Sequence, residues 1–401
     1  MRWQIPKQEI FYAIIWLIWV PIGAITYGVA HGTQLLMIVR MILSLAIIIK
    51  YSRIRILRLD CATLVGYSLC VCVSTLICQR GNLLNLLKSV EYVAFIWAAV
   101  KFFCCMKQYE WLSFLRAAKN IGYFYIIGSL TSNILYISTH AVRNYQGTWF
   151  FLGSRAETVQ TEVLMLTCIV LHQIFTHEDT KINIYVPMVL CLLDAVLFKS
   201  GQGITMFLVI IGAWVMFDKK NRIFFKICNP IVVTAVIVGL NYLILSGIYQ
   251  NVSLIIGYIT QVLGKSTNLT GRNVIFDAAI QLICKSPLWG YGYNNNIIST
   301  TIGGINTAFN SAHNSILDIS VNTGIISCAF LSVASFLVGK KLFEKALHSK
   351  GNQILYFSIC AYYIGGLVNL AIASKFFWIL LAISIGWSYG EIDENEDHKN
   401  Y

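Results

Sequence analysis

The fold class is decided by residues 227–249, whose sequence is ICNPIVVTAVIVGLNYLILSGIY. As a helix, a run of this length crosses the roughly 30 Å of hydrocarbon in a bilayer, and it carries no charged residue. Similar runs follow one another along the chain, which is 57% hydrophobic and only 12% charged, with a mean hydropathy of +0.68. The sequence therefore predicts an all-α, polytopic integral membrane protein with a single domain over 1–401.

The apolar runs predict about twelve transmembrane helices. We place them at 10–29, 33–49, 59–78, 86–106, 119–138, 157–175, 184–199, 201–217, 227–249, 314–338, 353–373 and 375–390. Lysine and arginine are concentrated in alternate loops, at 50–58, 107–119, 218–226 and 340–350. Because cytoplasmic loops carry an excess of these residues, this side and both termini are predicted to be cytoplasmic. The acidic segment 391–401 is then a solvated cytoplasmic tail.

The formal net charge of +12 would favour a nucleic-acid partner in a soluble protein. Here the basic residues lie in short loops between apolar runs, where they set the topology, so nucleic acid is excluded as a partner. Most of the 12 cysteines fall inside apolar runs and have no other metal ligands at useful spacing. This is typical of small buried apolar residues, and neither a metal nor a cofactor is expected.

One long polar interval, 250–313, separates the ninth span from the tenth, on the side opposite to the basic loops. Within it, Thr270 is predicted to cap an interfacial helix with one apolar face, which ends at a turn rich in glycine, proline and aromatic residues. Ser315 and Asp318 have the spacing of a capping box, which places His313 directly before the tenth span. The positive end of that helix disfavours imidazolium, so a neutral His313 is a candidate general base.

Three motifs of this region and one later glycine occur in a fixed order: Gly271-Arg272, Ser286-Pro287-Leu288-Trp289-Gly290-Tyr291-Gly292, His313-Asn314 and, after nine further residues, Gly324. This order resembles the O-antigen ligase and O-antigen polymerase superfamily of bacterial envelopes. Two other stretches look similar to that family: Gly153-Ser154-Arg155 before the sixth span, and Lys199-Ser200-Gly201-Gln202-Gly203 at the start of the eighth. The arginine that the family carries in the second stretch is absent here.

The resemblance implies transfer of a glycan from an undecaprenyl-diphosphate-linked donor to a sugar hydroxyl, at the outer face of the bacterial cytoplasmic membrane. It implies a lipid-linked oligosaccharide donor and acceptor as partners within the bilayer, together with a chain-length regulator and a flippase. His313 and Arg272 are the catalytic residues that it indicates. Further residues expected to bind the diphosphate or the sugars are Arg155, Arg143, Lys199, Asn314 and Asp318.

The same residues fit this chemistry by their own properties. A departing diphosphate develops negative charge, and the guanidinium groups of Arg143, Arg155 and Arg272 match its oxygens. His313 would deprotonate the attacking hydroxyl in a single displacement that inverts the anomeric carbon. Structural alternatives stand beside these roles, because an outward arginine can anchor the chain at the interface and Asp318 can cap a helix.

Within the superfamily, the sequence favours a repeat-unit polymerase for O-antigen or capsule over a ligase that attaches glycan to lipid A core. The ligase version of the motif has Gly, Thr or Tyr three residues after Gly324, where this chain has Ser327. Gly324 itself is expected to permit close helix packing. The competing class is a lipid-linked oligosaccharide flippase, because Arg40, Glu91 and Asp194 inside the spans fit a transport path as well as a catalytic cavity. A flippase, however, has no need of an outer loop with an arginine and a histidine at its ends.

Overall fold

The computed structural model describes residues 7–23, 26, 31–53, 58–79, 82–139, 151–178, 180–218, 222–247, 272–302 and 311–389. Within these ranges the chain forms fifteen helices and no strand, so the predicted all-α class is confirmed. The helices are α1 (Lys7–Trp19), α2 (Gly32–Lys50), α3 (Leu59–Cys78), α4 (Leu83–Cys104), α5 (Gln108–Thr139), α6 (Arg155–Phe175), α7 (Lys181–Leu197), α8 (Gly201–Asp218), α9 (Arg222–Ile227), α10 (Pro230–Leu245), α11 (Arg272–Lys285), α12 (Ile297–Ile302), α13 (Ser315–Ala346), α14 (Lys350–Gly366) and α15 (Lys375–Tyr389).

Each predicted span overlaps one of these helices, but the predictions at 10–29 and 353–373 extend beyond the ends of α1 and α14. By length and composition, 5 helices of the described chain can cross a membrane, namely α2, α3, α4, α6 and α13. Three shorter helices, α8, α10 and α15, are also apolar. The protein is therefore a multi-pass membrane protein, while the total of twelve crossings and the cytoplasmic position of the termini stay predictions.

Helix α6 is the centre of the bundle. Every residue from Thr158 to Ile174 is buried, and the helix contacts α5, α7, α8, α14 and α15. The hydroxyl of Thr167 hydrogen-bonds that of Ser358 on α14 at 2.7 Å, which satisfies both groups inside the core. On the periphery, α10 exposes most of its apolar side chains, as a helix in contact with lipid does.

Helix α13 is interrupted at Gly324, whose backbone is not helical (φ 86°, ψ 164°). Only a residue without Cβ adopts this conformation readily, and a Cβ here would overlap the carbonyl oxygen of Leu288. The expectation of simple helix packing at Gly324 is therefore corrected, because the glycine breaks the helix. The break leaves main-chain groups of Val321, Asn322 and Ile325 without their helical partners.

The bundle has two ends, here called the site end and the far end. The site end is where α3 ends at Cys78 and α13 begins. The far end is where α3 begins at Leu59 and α4 ends. Helices α14 and α15 have 17 and 15 residues. At 1.5 Å per residue they are about 25 and 22 Å long, shorter than the roughly 30 Å hydrocarbon layer. The segment 367–374 that joins them, here called the sunken connection, therefore lies below the surface of the site end.

Irregular backbone at membrane depth is tolerated where protein surrounds it or where it lines a water-filled cavity. In the sunken connection Leu367, Ala371 and Ile372 are buried, whereas Asn369 and Ser374 are partly exposed. The connection therefore has a packed side and an accessible polar side.

Candidate functional site

A turn of the chain at 286–293 is locked into the break in α13. Three main-chain hydrogen bonds join them: Tyr291 N to Val321 O (2.9 Å), Gly292 N to Asn322 O (2.8 Å) and Ile325 N to Pro287 O (2.8 Å). Gly290 and Gly292 have positive φ, which confirms them as turn formers. The spacing of the sequence motifs thus has a physical cause, since the turn supplies the partners that the broken helix lacks.

The end of α3 holds this turn from the other side. Ser74 Oγ donates to the carbonyl oxygens of Trp289 and, at 3.0 Å, Asn322. Gln79 Nε2 donates to the carbonyl oxygens of Tyr291 and Tyr293, both at 3.2 Å. The turn is thereby held between α3 and α13 by side chains that donate to its backbone.

Helix α11, which precedes the turn, begins at Arg272, and the predicted cap Thr270 lies outside the described residues. Its apolar face is buried against the first half of α13 and against α12. Four buried side chains of α11, Ile275, Phe276, Ala279 and Leu282, pack with Ile298, Leu317 and Val321. This packing places the start of α11, and with it Arg272, beside the start of α13.

Asn314, predicted to bind substrate, is the N-cap of α13. Its Oδ1 accepts from two main-chain N–H groups of the first turn, at 3.0 and 3.1 Å. Its Nδ2 donates to Asn241 Oδ1 at 2.7 Å and to the carbonyl oxygen of Leu367 at 3.0 Å. Because these bonds occupy both ends of the buried amide, Asn314 fixes the start of the helix and the backbone of His313 next to it.

The predicted capping box of Ser315 and Asp318 does not form, because the cap lies one residue earlier. Asp318 Oδ1 instead accepts from Ala312 N at 3.0 Å, and its Oδ2 accepts from Asn322 Nδ2 at 2.8 Å. The carboxylate thus connects the segment before the helix to the residues just before the break. It lies beside His313 as part of the frame that holds the loop.

The predicted catalytic pair, His313 and Arg272, is brought together. Burial and, to a smaller extent, the positive charge of Arg272 lower the pKa of His313 to about 4. His313 has φ 46°, in the left-handed region that residues with side chains rarely adopt. Burial also lowers the pKa of Arg272, whose Nη1 donates to the carbonyl oxygen of Val368. The site therefore holds a neutral imidazole next to a guanidinium at neutral pH.

The sunken connection contacts the predicted site, and no sequence motif indicated this contact. Arg272 and Asn314 donate to two of its carbonyl oxygens. Ser315 Oγ donates to the carbonyl oxygen of Asn369 at 2.8 Å and accepts from Ile372 N at 3.2 Å. The connection thus lies against Arg272 and the first residues of α13. Its apolar composition hid it among the spans, and only the shortness of the two flanking runs could have indicated a non-helical segment there.

A second basic residue lies at the end of the sunken connection. Lys375, the first residue of α15, interacts electrostatically with Arg40, Glu91 and Glu157. Arg40 Nε donates to Glu91 Oε1 in a buried ion pair between α2 and α4. Both residues lie eight positions into their helices, about 12 Å from the ends, so Lys375 is sunken as well.

Two other predicted ligands lie at neighbouring helix starts. Arg155 is the exposed first residue of α6, after a capping box of Ser154 and Glu157. Lys199 is exposed in the turn between α7 and α8, with φ 52°. Gln202, three residues later, accepts from Asn369 Nδ2 at 2.9 Å and so links this turn to the sunken connection. Arg143 lies outside the described residues.

Among the residues that the structure describes, no three His, Cys, Asp or Glu side chains converge as metal ligands do. The groups gathered at the site end are instead one neutral imidazole, guanidinium and ammonium groups, and amide or hydroxyl donors. This arrangement can take a proton from a hydroxyl and stabilise an oxyanion.

The site and fold together define a multi-pass helical membrane protein with a polar site at one end of the bundle. Residues 186–332 match the model of the O-antigen ligase family, which confirms the resemblance to the O-antigen ligase and polymerase superfamily. The matched part runs from α7 to the second half of α13 and contains Lys199, Arg272, His313, Asn314 and Asp318. It covers less than half of the chain and leaves out Arg155 and the sunken connection. No curated protein matches the chain.

Proposed function

We propose that this membrane enzyme of the O-antigen polymerase and ligase type is a glycosyltransferase that polymerises undecaprenyl-diphosphate-linked oligosaccharide repeat units. The product is a surface polysaccharide, O-antigen or capsule, made at the outer face of the bacterial cytoplasmic membrane. The observation that carries the proposal is that Arg272 and Asn314, the residue after His313, donate to the adjacent carbonyl oxygens of Val368 and Leu367, which brings the guanidinium close to the buried imidazole. A base next to a cation suits a reaction in which a hydroxyl loses a proton while a diphosphate leaves.

The residues act as follows in this reaction. His313 takes the proton of the acceptor hydroxyl, and the hydroxyl oxygen attacks the anomeric carbon of the donor sugar. The bond from that carbon to the diphosphate breaks on the opposite face, which inverts the configuration. Arg272 holds the diphosphate as its charge develops, with Arg155, Arg143 and Lys199 as further cationic ligands. No metal or cofactor takes part.

The resting pKa of His313 is low for a general base, and the bound substrate corrects this. A diphosphate beside the imidazole brings negative charge and offsets that of Arg272, so it raises the pKa of His313 towards neutrality. Asn314 and Asp318 hold the loop that carries the histidine, and they act as positioning residues. The base is therefore strengthened only when the donor is in place.

A ligase is the second candidate, because the matched family model carries that description. The residue that first separated the two was Ser327, three positions after Gly324. Ser327 is buried, and its Oγ accepts from Thr323 Oγ1 at 2.8 Å inside the bundle. Because Ser327 is buried inside the bundle, its identity does not determine which acceptor the enzyme uses. An assay is therefore needed to distinguish a polymerase from a ligase.

The test uses membrane vesicles that contain the full chain and purified lipid-linked repeat units. We expect long glycan chains from the wild type, and accumulated single repeats from His313→Ala and from Arg272→Ala, with normal membrane insertion. His348→Ala, an exposed histidine at the far end, is the matched control and should retain activity. Full-length polymer from both site variants would refute the catalytic assignment.

The same assay separates the other functions. Product only when lipid A core is added would make the protein a ligase. Repeats retained on the cytoplasmic face of cells that lack the protein would make it a flippase. Polymer formed from lipid-linked repeats alone is the result that the polymerase proposal requires.

A further inference from the structure

A cavity of about 550 Å³ lies between α3 and α4 at the far end of the bundle. Its lining includes Arg58, directly before α3, and Lys101, three residues before the end of α4. Between these cations the walls are apolar and include Leu59, Val65 and Trp97. The cavity is therefore cationic at the helix ends and apolar between the helices.

This cavity is separate from the catalytic site. Cys61 lines the cavity, and Cys78 marks the site end of the same helix. The 17 residues from one to the other correspond to about 26 Å along the helix axis. A molecule in the cavity therefore does not reach His313 or Arg272, and the cavity has no part in the proposed transfer.

In the described part of the chain, three basic side chains and one carboxylate lie around the cavity. Asp60 is buried and pairs through Oδ2 with Arg58 at 3.0 Å and with Lys341 at 3.2 Å. Lys101 Nζ donates to the carbonyl oxygen of Tyr51 at 2.9 Å. Arg58 and Lys101 thus bring two basic side chains to the lining of the cavity, and a phosphate group is an anion that such side chains bind.

The apolar walls indicate the rest of the ligand. Leu59 and Val65 are 67% and 44% exposed, and they lie on a membrane-spanning helix, so they face lipid chains. The indole of Trp97 lines the cavity, and its Nε1 donates to Ser68 Oγ at 3.0 Å, which fixes the ring. An aromatic ring below basic residues near a helix end is the arrangement found at a membrane interface.

We propose that this cavity binds an anionic phospholipid. The headgroup phosphate lies between Arg58 and Lys101, and an acyl chain follows the groove past Val65 over the face of Trp97. A basic pocket between spans on the cytoplasmic side selects anionic headgroups, and positive-inside topology predicts that side for this end. The lipid would steady α3, whose other end carries Ser74 and Gln79 to the catalytic turn.

The test titrates the purified, delipidated full chain with phosphatidylglycerol and phosphatidylcholine of the same acyl chains. Brominated versions of both lipids report binding through quenching of Trp97, taken as the difference between the wild type and Trp97→Phe. We expect phosphatidylglycerol to bind at least tenfold more tightly than phosphatidylcholine. Lys101→Gln should weaken phosphatidylglycerol binding roughly fivefold, because one cation near the surface is removed.

Two variants and one competitor complete the experiment. Val65→Trp fills the cavity and should weaken the binding of both lipids. If the larger side chain disturbs folding, Ala62→Leu, at an exposed position of the lining, fills less of the cavity and should weaken the binding of both lipids to a smaller extent. Lys340→Gln, an exposed lysine paired with Glu344 at the same end, should bind as the wild type does. Equal affinity for the two lipids would overturn the proposal, as would unchanged binding in Lys101→Gln. Displacement of the lipid by millimolar inorganic phosphate would also overturn it, because the site would then serve a free anion.

Discussion

The two ends of the bundle differ in the balance of the interactions that hold them. At the site end, side chains donate hydrogen bonds to irregular backbone, as Ser74 and Gln79 do to the 286–293 turn. At the far end, regular helices meet through aromatic rings and ion pairs, such as Trp111 with Phe103 and Arg116 with Glu9. Hydrogen bonds to backbone define positions within tenths of an ångström, whereas stacked rings tolerate small shifts. Substitutions at the site end should therefore alter activity, and those at the far end mainly stability.

The largest effect is expected at the break in α13. Gly324→Ala places a methyl group against the carbonyl of Leu288 and forces positive φ on alanine. We expect a loss of about 4 kcal/mol in the free energy of unfolding and of nearly all transferase activity, because the turn and the helix must separate. Thermal unfolding in detergent measures the loss of stability, and the vesicle assay measures the loss of transferase activity.

The matched control lies in the same helix. Gly339 is helical, and a Cβ there meets only the ring of Tyr356 at 3.6 Å, an ordinary contact. Gly339→Ala should keep activity and change stability by less than about 1 kcal/mol, since alanine has the better helix propensity. Equal damage from the two substitutions would contradict the role given to the break.

Two asparagine N-caps give the next comparison. Asn314 caps α13 at the site end and its side chain also donates to Asn241 and Leu367, whereas the side chain of Asn229, which caps the peripheral α10, accepts from Ile231 N at 2.9 Å. Asn314→Ala should cost about 2 kcal/mol of unfolding free energy, and Asn229→Ala about 1 kcal/mol or less. Only the first should reduce kcat, because only it moves His313. A fall in kcat for both would mean that the caps act through stability alone.

A smaller effect on a single property is expected at the far end. Phe114 is buried and stacks with Trp16 at 5.1 Å between ring centroids. Phe114→Leu should lower the unfolding free energy by roughly 1 kcal/mol, the aromatic contribution beyond area burial. Activity measured below the unfolding temperature should stay at the wild-type level. A specific loss of activity would show that the far end shapes the site as well.

The difference between the ends also explains what the sequence revealed. Hydrophobic runs predicted the helices, since these runs depend on local composition, as in α3, predicted at 59–78 and found at Leu59–Cys78. The motifs identified His313, Arg272 and the turn. The break at Gly324, the cap at Asn314 and the sunken connection around Asn369 depend on contacts between residues far apart in the chain. No local pattern encodes such contacts, so a capping box was assigned at Ser315 instead.

The smallest effect is expected in the pH dependence of kcat/KM, with no change in the free energy of unfolding at neutral pH. The pKa of His313 in the native protein is lowered to about 4, against about 6.5 for an ordinary histidine. The base is thus neutral above about pH 5, and kcat/KM, which reports the free enzyme, should fall only below that pH.

As the pH falls, His313 binds a proton in the unfolded chain near pH 6.5, before it does so in the native protein near pH 4. The contribution of neutral His313 to the free energy of unfolding is therefore complete above about pH 6.5 and is lost as the pH falls towards 4. Arg272→Gln removes a charge that lowers the pKa, so the acid limb of its residual kcat/KM should move to higher pH. Arg116→Gln at the far end should leave the limb in place. An acid limb near pH 6.5 in the wild type that Arg272→Gln does not move would contradict the electrostatic effect of Arg272 on His313. Substitutions at the site end and at the far end would then have the same lack of effect on this pH dependence.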